Sequence, residues 1–188
     1  MQEDPRPDEG LMLAYRDGDA AAFETLYARH RSRLYRYLAH QCGDARLAEE
    51  LYQDIWLRVI NARADYEVSA KFSTWLYRIA HHRLIDHYRK HARERLREWD
   101  GEEASIEDYP APASATPPAE VERLQLKERL AGALAELPAP QREAFLMAEE
   151  GGMTLEEIAN ATGTGRETVK SRLRYALGKL RHALKDLL

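Results

Sequence analysis

Between Thr154 and Arg181 the chain carries the side chains whose chemistry is easiest to name. Lys170, Ser171, Arg172, Arg174 and Tyr175, preceded by Arg166, place cations and hydroxyls on one stretch of helical spacing. Such groups suit DNA. Lys and Arg meet phosphate oxygens and fix register, and an Arg can bond bidentately to a guanine edge. The residues that would hold this helix down are Val169, Leu173, Ala176, Leu177, Leu180 and Leu184, one apolar stripe that leaves the polar set on the opposite face or its flanks. A shorter helix precedes it. Thr154 stands three residues before Glu157 and Thr164 three before Glu167, and each pair fits a capping box. Gly163 and Gly165 allow a tight bend between the two helices. Two helices joined this way, the second with a cationic face, are built to lie in a DNA major groove.

The net charge of −4 looks wrong for a DNA binder until it is resolved by segment. From Lys71 to Arg97 there are eight Lys/Arg against two acids, with four histidines besides, and from Thr162 to Leu188 seven Lys/Arg against two acids. From Trp99 to Glu122 there are seven acids and no Lys or Arg. The local field governs attraction to a polyanion, because charges beyond a Debye length of about 8–10 Å are screened. Two basic surfaces separated by an acidic tether fit nucleic-acid binding at two places.

The tether, residues 99–120, holds Pro110, Pro112, Pro117 and Pro118 among acids and small residues, which resist helix and sheet alike. It predicts a division into a domain over 9–95, a flexible acidic Pro/Ala-rich linker over 96–118 and a helix-turn-helix domain over 119–188. Strand-like alternation is absent, so both small domains are expected to be all-α. In the first, Ala20 to Leu38 is a helix with Phe23, Leu26, Tyr27, Leu34, Tyr37 and Leu38 at helical spacing. Asp44 caps the next, Ala45 to Asn61, whose Ala48, Leu51, Ile55 and Val59 face inward and leave Glu50, Gln53, Asp54 and Leu57 on another face. A loop over Ala62 to Lys71 leads to a long helix from Ser73 to Arg97, with Leu76, Ile79, Ala80 and Leu84 as core and Trp75, Arg78, His82 and Arg89 along another side.

Several function classes fall away. No run approaches the roughly 20 apolar residues of a membrane span, so no membrane insertion is expected. The acidic, Pro-containing start MQEDPRPDEG reads as neither a secretory signal nor a transit peptide, and with the end at LKDLL no added sensing domain is expected. Cys42 is the only cysteine, which excludes an internal disulfide and any multi-cysteine zinc site and points to a reducing cytoplasm. His87 and His91 are spaced to share a metal, but no further ligand completes a set, so no metal or cofactor is expected. There is no P-loop, dinucleotide turn, HExxH or GxSxG, and an enzyme is not expected.

The stretches AEELYQDIWLRVI, FSTWLYRIAHHRLIDHYRK and the pair TLEEIA and TVKSRL, in that order around an acidic linker, resemble the extracytoplasmic-function (ECF) sigma factors of the sigma-70 family. The resemblance covers nearly the whole chain apart from its N-terminal tail and linker. It implies that the first stretch grips the clamp helices of the RNA polymerase β′ subunit through Glu50, Gln53, Asp54 and Leu57. The second would melt and read the −10 promoter element through Lys71, Trp75, Arg78, His82 and Arg89. An aromatic and cationic face suits that task, because a melted strand offers base faces for stacking and phosphates for Lys and Arg. The third would read the −35 element, with Ser171, Arg174 and Tyr175 in the groove and Arg166, Lys170 and Arg172 on phosphates. The resemblance further implies the β flap as a contact of the C-terminal domain, a linker threaded through the polymerase channel, and an anti-sigma factor as a candidate partner.

Three positions depart from the family pattern: Asp54 where Glu is favoured, His82 where Asn is frequent, and Tyr175 after Arg174 where two basic residues are common. The alternatives are a conventional duplex-binding regulator whose N-terminal domain dimerises or senses, and an adaptor whose basic helices bind a protein. The AEELYQD face and the TWLYRIA helix speak against the regulator, which has no need for them, and salt-sensitive, sequence-selective DNA binding would count against the adaptor.

Overall fold

The computed structural model describes the backbone of residues 4–97 and 118–185, and the side chains of 4–92 and 125–185. The fold is all-α, two helical regions separated by residues 98–117. The first region holds α1 (Asp8–Arg16), α2 (Ala20–Cys42), α3 (Ala45–Asn61), a 3-10 turn (Ala62–Asp65) and α4 (Phe72–Arg97). The second holds α5 (Pro118–Ala135), α6 (Ala139–Glu149), α7 (Leu155–Thr162) and α8 (Arg166–Ala183).

Local chemistry sets the ends of these helices. Asp19 accepts a bond from the Ala22 amide at the start of α2, and Asp44 accepts from Arg46 and Leu47 at the start of α3. Gly43 closes α2 in the left-handed conformation, φ 66°. That glycine lets α2 run on to Cys42, one turn past the expected end at Leu38. The first amide of α4, Phe72 N–H, donates to Glu9 Oε1 of α1 at 2.7 Å, so a side chain distant in sequence does the work of a local cap.

The expected inward faces hold. Leu26, Leu34, Tyr37 and Leu38 of α2, Ala48, Leu51, Ile55 and Val59 of α3, and Leu76, Ala80 and Leu84 of α4 are all buried. Ile79 is half-buried against that core. Beside it, Trp56 gathers Phe23, Tyr27 and Tyr52 in edge contacts, ring centroids 5.0–6.4 Å apart, an arrangement aromatic pairs favour.

In the second region α8 packs on α5, α6 and α7. Val169, Ala176 and Leu180 are buried, with Leu173 and Leu184 half-buried beside them. Leu177 is the exception in the expected stripe: it lies at the stripe's edge and is 45% exposed. Thr154 and Glu157 form the expected capping box on α7. The second expected box does not form. Gly165 is the residue that begins α8, and Thr164 belongs to the close of α7, its amide bonded to Ala159 O and its hydroxyl to Thr162. Glu167 is left to bond Arg166 and Lys170.

Because a Cβ at Gly43 would meet open space, Gly43→Ala isolates the cost of the left-handed backbone. It should destabilise the chain by about 1–2 kcal/mol, seen as a lower urea midpoint with an unchanged slope.

Candidate nucleic-acid interface

Helix α4 carries three stripes. Phe72, Leu76, Ala80 and Leu84 face the core of the first region. His81, Ile85 and Tyr88 border a cleft against the second region, whose α7 packs on α4, and Tyr77 is buried edge-on to Tyr37 of α2. Lys71, just ahead of the helix, and Arg78, His82 and Arg89 are exposed, and Trp75 is half-buried among them. The structure therefore brings all five residues expected at a melted strand to one outward side. Trp75 stands edge-on to Tyr66 at 5.1 Å and beside Phe72 at 5.8 Å, so its ring is held in place by packing and keeps part of its surface open. Lys71 is not free: its ammonium pairs with Glu157 of α7 at 2.9 Å.

Partial desolvation on the helix surface, helped by His81 and Arg78 close by, holds His82 below the usual histidine value of 6.5. Near neutral pH the ring is therefore neutral, with one nitrogen donating and the other accepting.

On α3, Glu50, Gln53 and Leu57 are exposed, Leu57 at 54%, and Gln53 donates to Glu49 at 3.0 Å. Asp54 differs from its expected neighbours. It accepts from Arg83 Nε at 2.7 Å, which ties α3 to α4 and leaves the carboxylate half-exposed. This partner lies too far along the sequence for helical spacing to reveal it.

The set expected on α8 divides. Arg174 and Tyr175 are exposed, and the guanidinium lies over the phenol ring at 5.1 Å from its centroid, a cation–π contact that presents the pair as one unit. Ser171, Arg172 and Tyr175 border an open hollow with Gln141, Glu167 and Thr168. Arg166 is bonded to Glu156 at 2.6 Å and to Glu167 at 3.0 Å, and Lys170 reaches Glu167 at 3.4 Å. These are exposed pairs, worth little in water and readily exchanged for a phosphate. Arg172 is half-buried and also borders the cleft toward α4, with His81, Tyr88 and Glu143.

Sequence reasoning missed the residues that join the two regions. Arg36 of α2 bonds Glu150 through both Nε and Nη2, the shortest contact 2.7 Å. Tyr37 Oη donates to Glu143 Oε1 at 3.1 Å, and His81 Nδ1 lies 2.7 Å from the same oxygen. Arg142 Nε donates to Gln41 Oε1 at 3.0 Å. Burial, and then the charge of Glu143, push the Tyr37 phenol well above its usual value, so it stays a donor. No spacing signal in the sequence marks these pairs.

Among the described residues there is no group of three or more His, Cys, Asp or Glu side chains that could hold a metal ion; the His87 and His91 ring centroids lie 4.2 Å apart. No helix among them is long and apolar enough to cross a membrane.

Residues 26–94 match the family model of Sigma-70 region 2, and residues 133–182 that of Sigma-70, region 4. The chain is 35% identical over 185 residues to the RNA polymerase sigma factor CarQ of Myxococcus xanthus, covering 94% of this chain and 97% of that one. It is 34% identical over 174 residues to the ECF RNA polymerase sigma factor RpoE of Cereibacter sphaeroides, covering 91% of each. Among solved structures, the sigma factor RpoE in complex with the anti-sigma factor NepR from Bartonella quintana superposes with a TM-score of 0.69 at 23% identity, over 87% of this chain and 96% of that one. CnrH in complex with the cytosolic domain of CnrY gives 0.67 at 24%, over 95% and 97%.

A pair of small helical regions with these matches defines a promoter-directing subunit of RNA polymerase rather than an enzyme. The chain belongs to the ECF sigma factors of the sigma-70 family.

The His82 environment is open to a direct check. Followed by NMR, its ring should titrate with a midpoint below 6.5. Arg78→Gln, which removes one of the repelling cations, should move that midpoint upward.

Proposed function

We propose that promoter recognition is divided among three faces of this sigma factor. The outward face of α3, Glu50, Gln53 and Leu57 with Asp54 at its edge, docks on the β′ clamp helices of core polymerase. The outward side of α4, Lys71, Trp75, Arg78, His82 and Arg89, takes the −10 strand as it opens, with Trp75 and His82 as stacking surfaces and the cations on phosphates. On α8, Ser171, Arg174 and Tyr175 read the −35 duplex, flanked by Arg166, Lys170 and Arg172 on the backbone. The working units are residues 9–95 and 119–188, and 96–118 is a flexible acidic Pro/Ala-rich linker threaded through the polymerase channel. The second unit, a helix-turn-helix, also touches the β flap. The protein acts in the cytoplasm, where polymerase is.

The observation that carries this reading is the exposure of Leu57. A leucine 54% open to solvent, on a helix whose other large apolar residues are buried or half-buried, is what an interface anchor looks like before its partner arrives. Asp54, held by Arg83, supports the face in a different way: it fixes α3 against α4, and so sets the docking face relative to the −10 face. The two solved neighbours were captured with an anti-sigma factor or a partner's cytosolic domain. That supports a protein antagonist for this chain as well.

Binding to core polymerase followed by transcription from genomic fragments tests the reading. Tight binding with new promoter-specific transcripts is expected. Specific duplex binding without core association would instead favour a conventional regulator. Leu57→Ser, at a position that contributes little to the core, should weaken core affinity by about tenfold, as for loss of an interface anchor, with thermal stability unchanged. Arg174→Ala should lower discrimination between matched and mismatched −35 sequences by about tenfold or more, and leave core affinity as it was.

A further inference from the structure

Glu167 is the one acid on α8, against six Lys/Arg. It stands one turn ahead of Ser171, and 167, 171, 174 and 175 follow the i, i+4, i+7, i+8 spacing of a single helical stripe. Ser171, Arg174 and Tyr175 are the groove set of α8, so Glu167 extends that set by a turn toward the helix N-terminus. Glu167, Ser171 and Tyr175 border the same open hollow, and the Glu167 side chain is 74% exposed. A recognition helix meets base edges with its N-terminal residues, which carries the carboxylate into the groove beside Ser171. Its partners in the free protein are Arg166 at 3.0 Å and Lys170 at 3.4 Å, exposed pairs that phosphates readily replace. Both cations are phosphate contacts in the reading given under Proposed function, on which this inference rests. Once they turn to the DNA backbone, a group that can only accept hydrogen bonds is left in the groove of a polyanion. Without a donor from a base, its desolvation goes uncompensated.

We propose that Glu167 is a specificity-determining residue of the −35 contact, accepting a hydrogen bond from the exocyclic amino group of a cytosine. The choice of base follows from what the major groove offers. Cytosine presents its N4 amino group as a donor, whereas guanine presents N7 and O6, and thymine O4, as acceptors that a carboxylate repels. Adenine has a donor at N6 but sets it beside the N7 acceptor, so cytosine is the base a carboxylate meets without conflict. Four residues of helix rise about 6 Å, close to two steps of about 3.4 Å along one strand. The cytosine therefore lies about two base pairs from the pair met by Ser171. The acid acts in both directions, rewarding one base and penalising the rest. Glu167 also suits the positive end of the α8 dipole, but that role asks only for negative charge in the first turn and is indifferent to base sequence.

Holoenzyme assembled from the full chain and core polymerase, transcribing promoters randomised across the −35 element, reads the assignment. The wild type should prefer cytosine at one position by about tenfold, the discrimination of a good base contact. Glu167→Ala should flatten that position alone. Glu167→Gln, whose amide can meet both N6 and N7 of adenine, should move the preference toward adenine. Replacing the cytosine by 2-pyrimidinone, which lacks the amino group, should lower wild-type output about tenfold more than that of Glu167→Ala. A wild type with no cytosine preference would overturn the assignment, as would a Glu167→Ala variant that changes every −35 position equally or changes none. An equal loss at every position in both variants marks a purely structural role for the acid. If Arg174→Ala still lowers −35 discrimination in those cases, the role of Glu167 falls and the reading of α8 stands. If Arg174→Ala leaves discrimination unchanged as well, the reading of α8 falls with it.

Discussion

Helix α4 has to serve three surfaces at once, and most of the structure follows from how it divides them. At about 3.6 residues per turn, each surface gets a single stripe. Phe72, Leu76, Ala80 and Leu84 fill the core, His81, Ile85 and Tyr88 meet the second region, and Trp75, Arg78, His82 and Arg89 look outward. Side chains cannot migrate between stripes without breaking one of the three. The adjacent histidines show the division most sharply, since His81 is buried and bonded to Glu143 while His82 faces solvent.

The other helices hold α4 in this orientation. Glu9 of α1 takes its first amide, and Asp54 of α3 takes Arg83 from its side. Tyr66 and Phe72 set the tilt of the Trp75 ring. Because α3 is tied to α4 by an ion pair and by shared core residues, a partner gripping the outer side of α3 also places the outward stripe of α4. This rigid coupling is what a protein needs if polymerase docking is to position the groups that take a DNA strand.

Much of this was legible because it depends on neighbours in sequence. Asp44 caps α3, Ala48, Leu51, Ile55 and Val59 repeat at helical spacing, and Thr154 boxes with Glu157. Where two local rules competed, the sequence reading chose wrongly. Thr164 could open α8 or close α7, and the left-handed Gly163 before it settles the matter by turning the Thr164 amide back to Ala159. Leu177 sits where the stripe ends, so its type suggested burial that its angle on the helix does not allow. The partners of Asp54, Lys71 and Arg36 were beyond reach, because periodicity reports which way a residue faces and not which distant residue it meets.

The seam between the regions follows a different logic from the core. A seam of leucines would have been simpler to stabilise, since burying charge costs desolvation that good pairing only partly returns. Yet charged pairs respond to ions, and apolar contacts hardly do. Placing carboxylates of low exposure opposite cations that remain in water makes the contact dependent on what else those cations can bind. Inter-domain contacts are in general more polar than permanent interfaces. Here the ion pairs run one way, Glu150 and Glu157 of the second region meeting Arg36 and Lys71 of the first, while Arg142 of the second region donates to the neutral Gln41 of the first. Of the outward α4 set only Lys71 is met by one of these acids; Arg78, His82 and Arg89 stay exposed, so the seam leaves most of that basic surface in water.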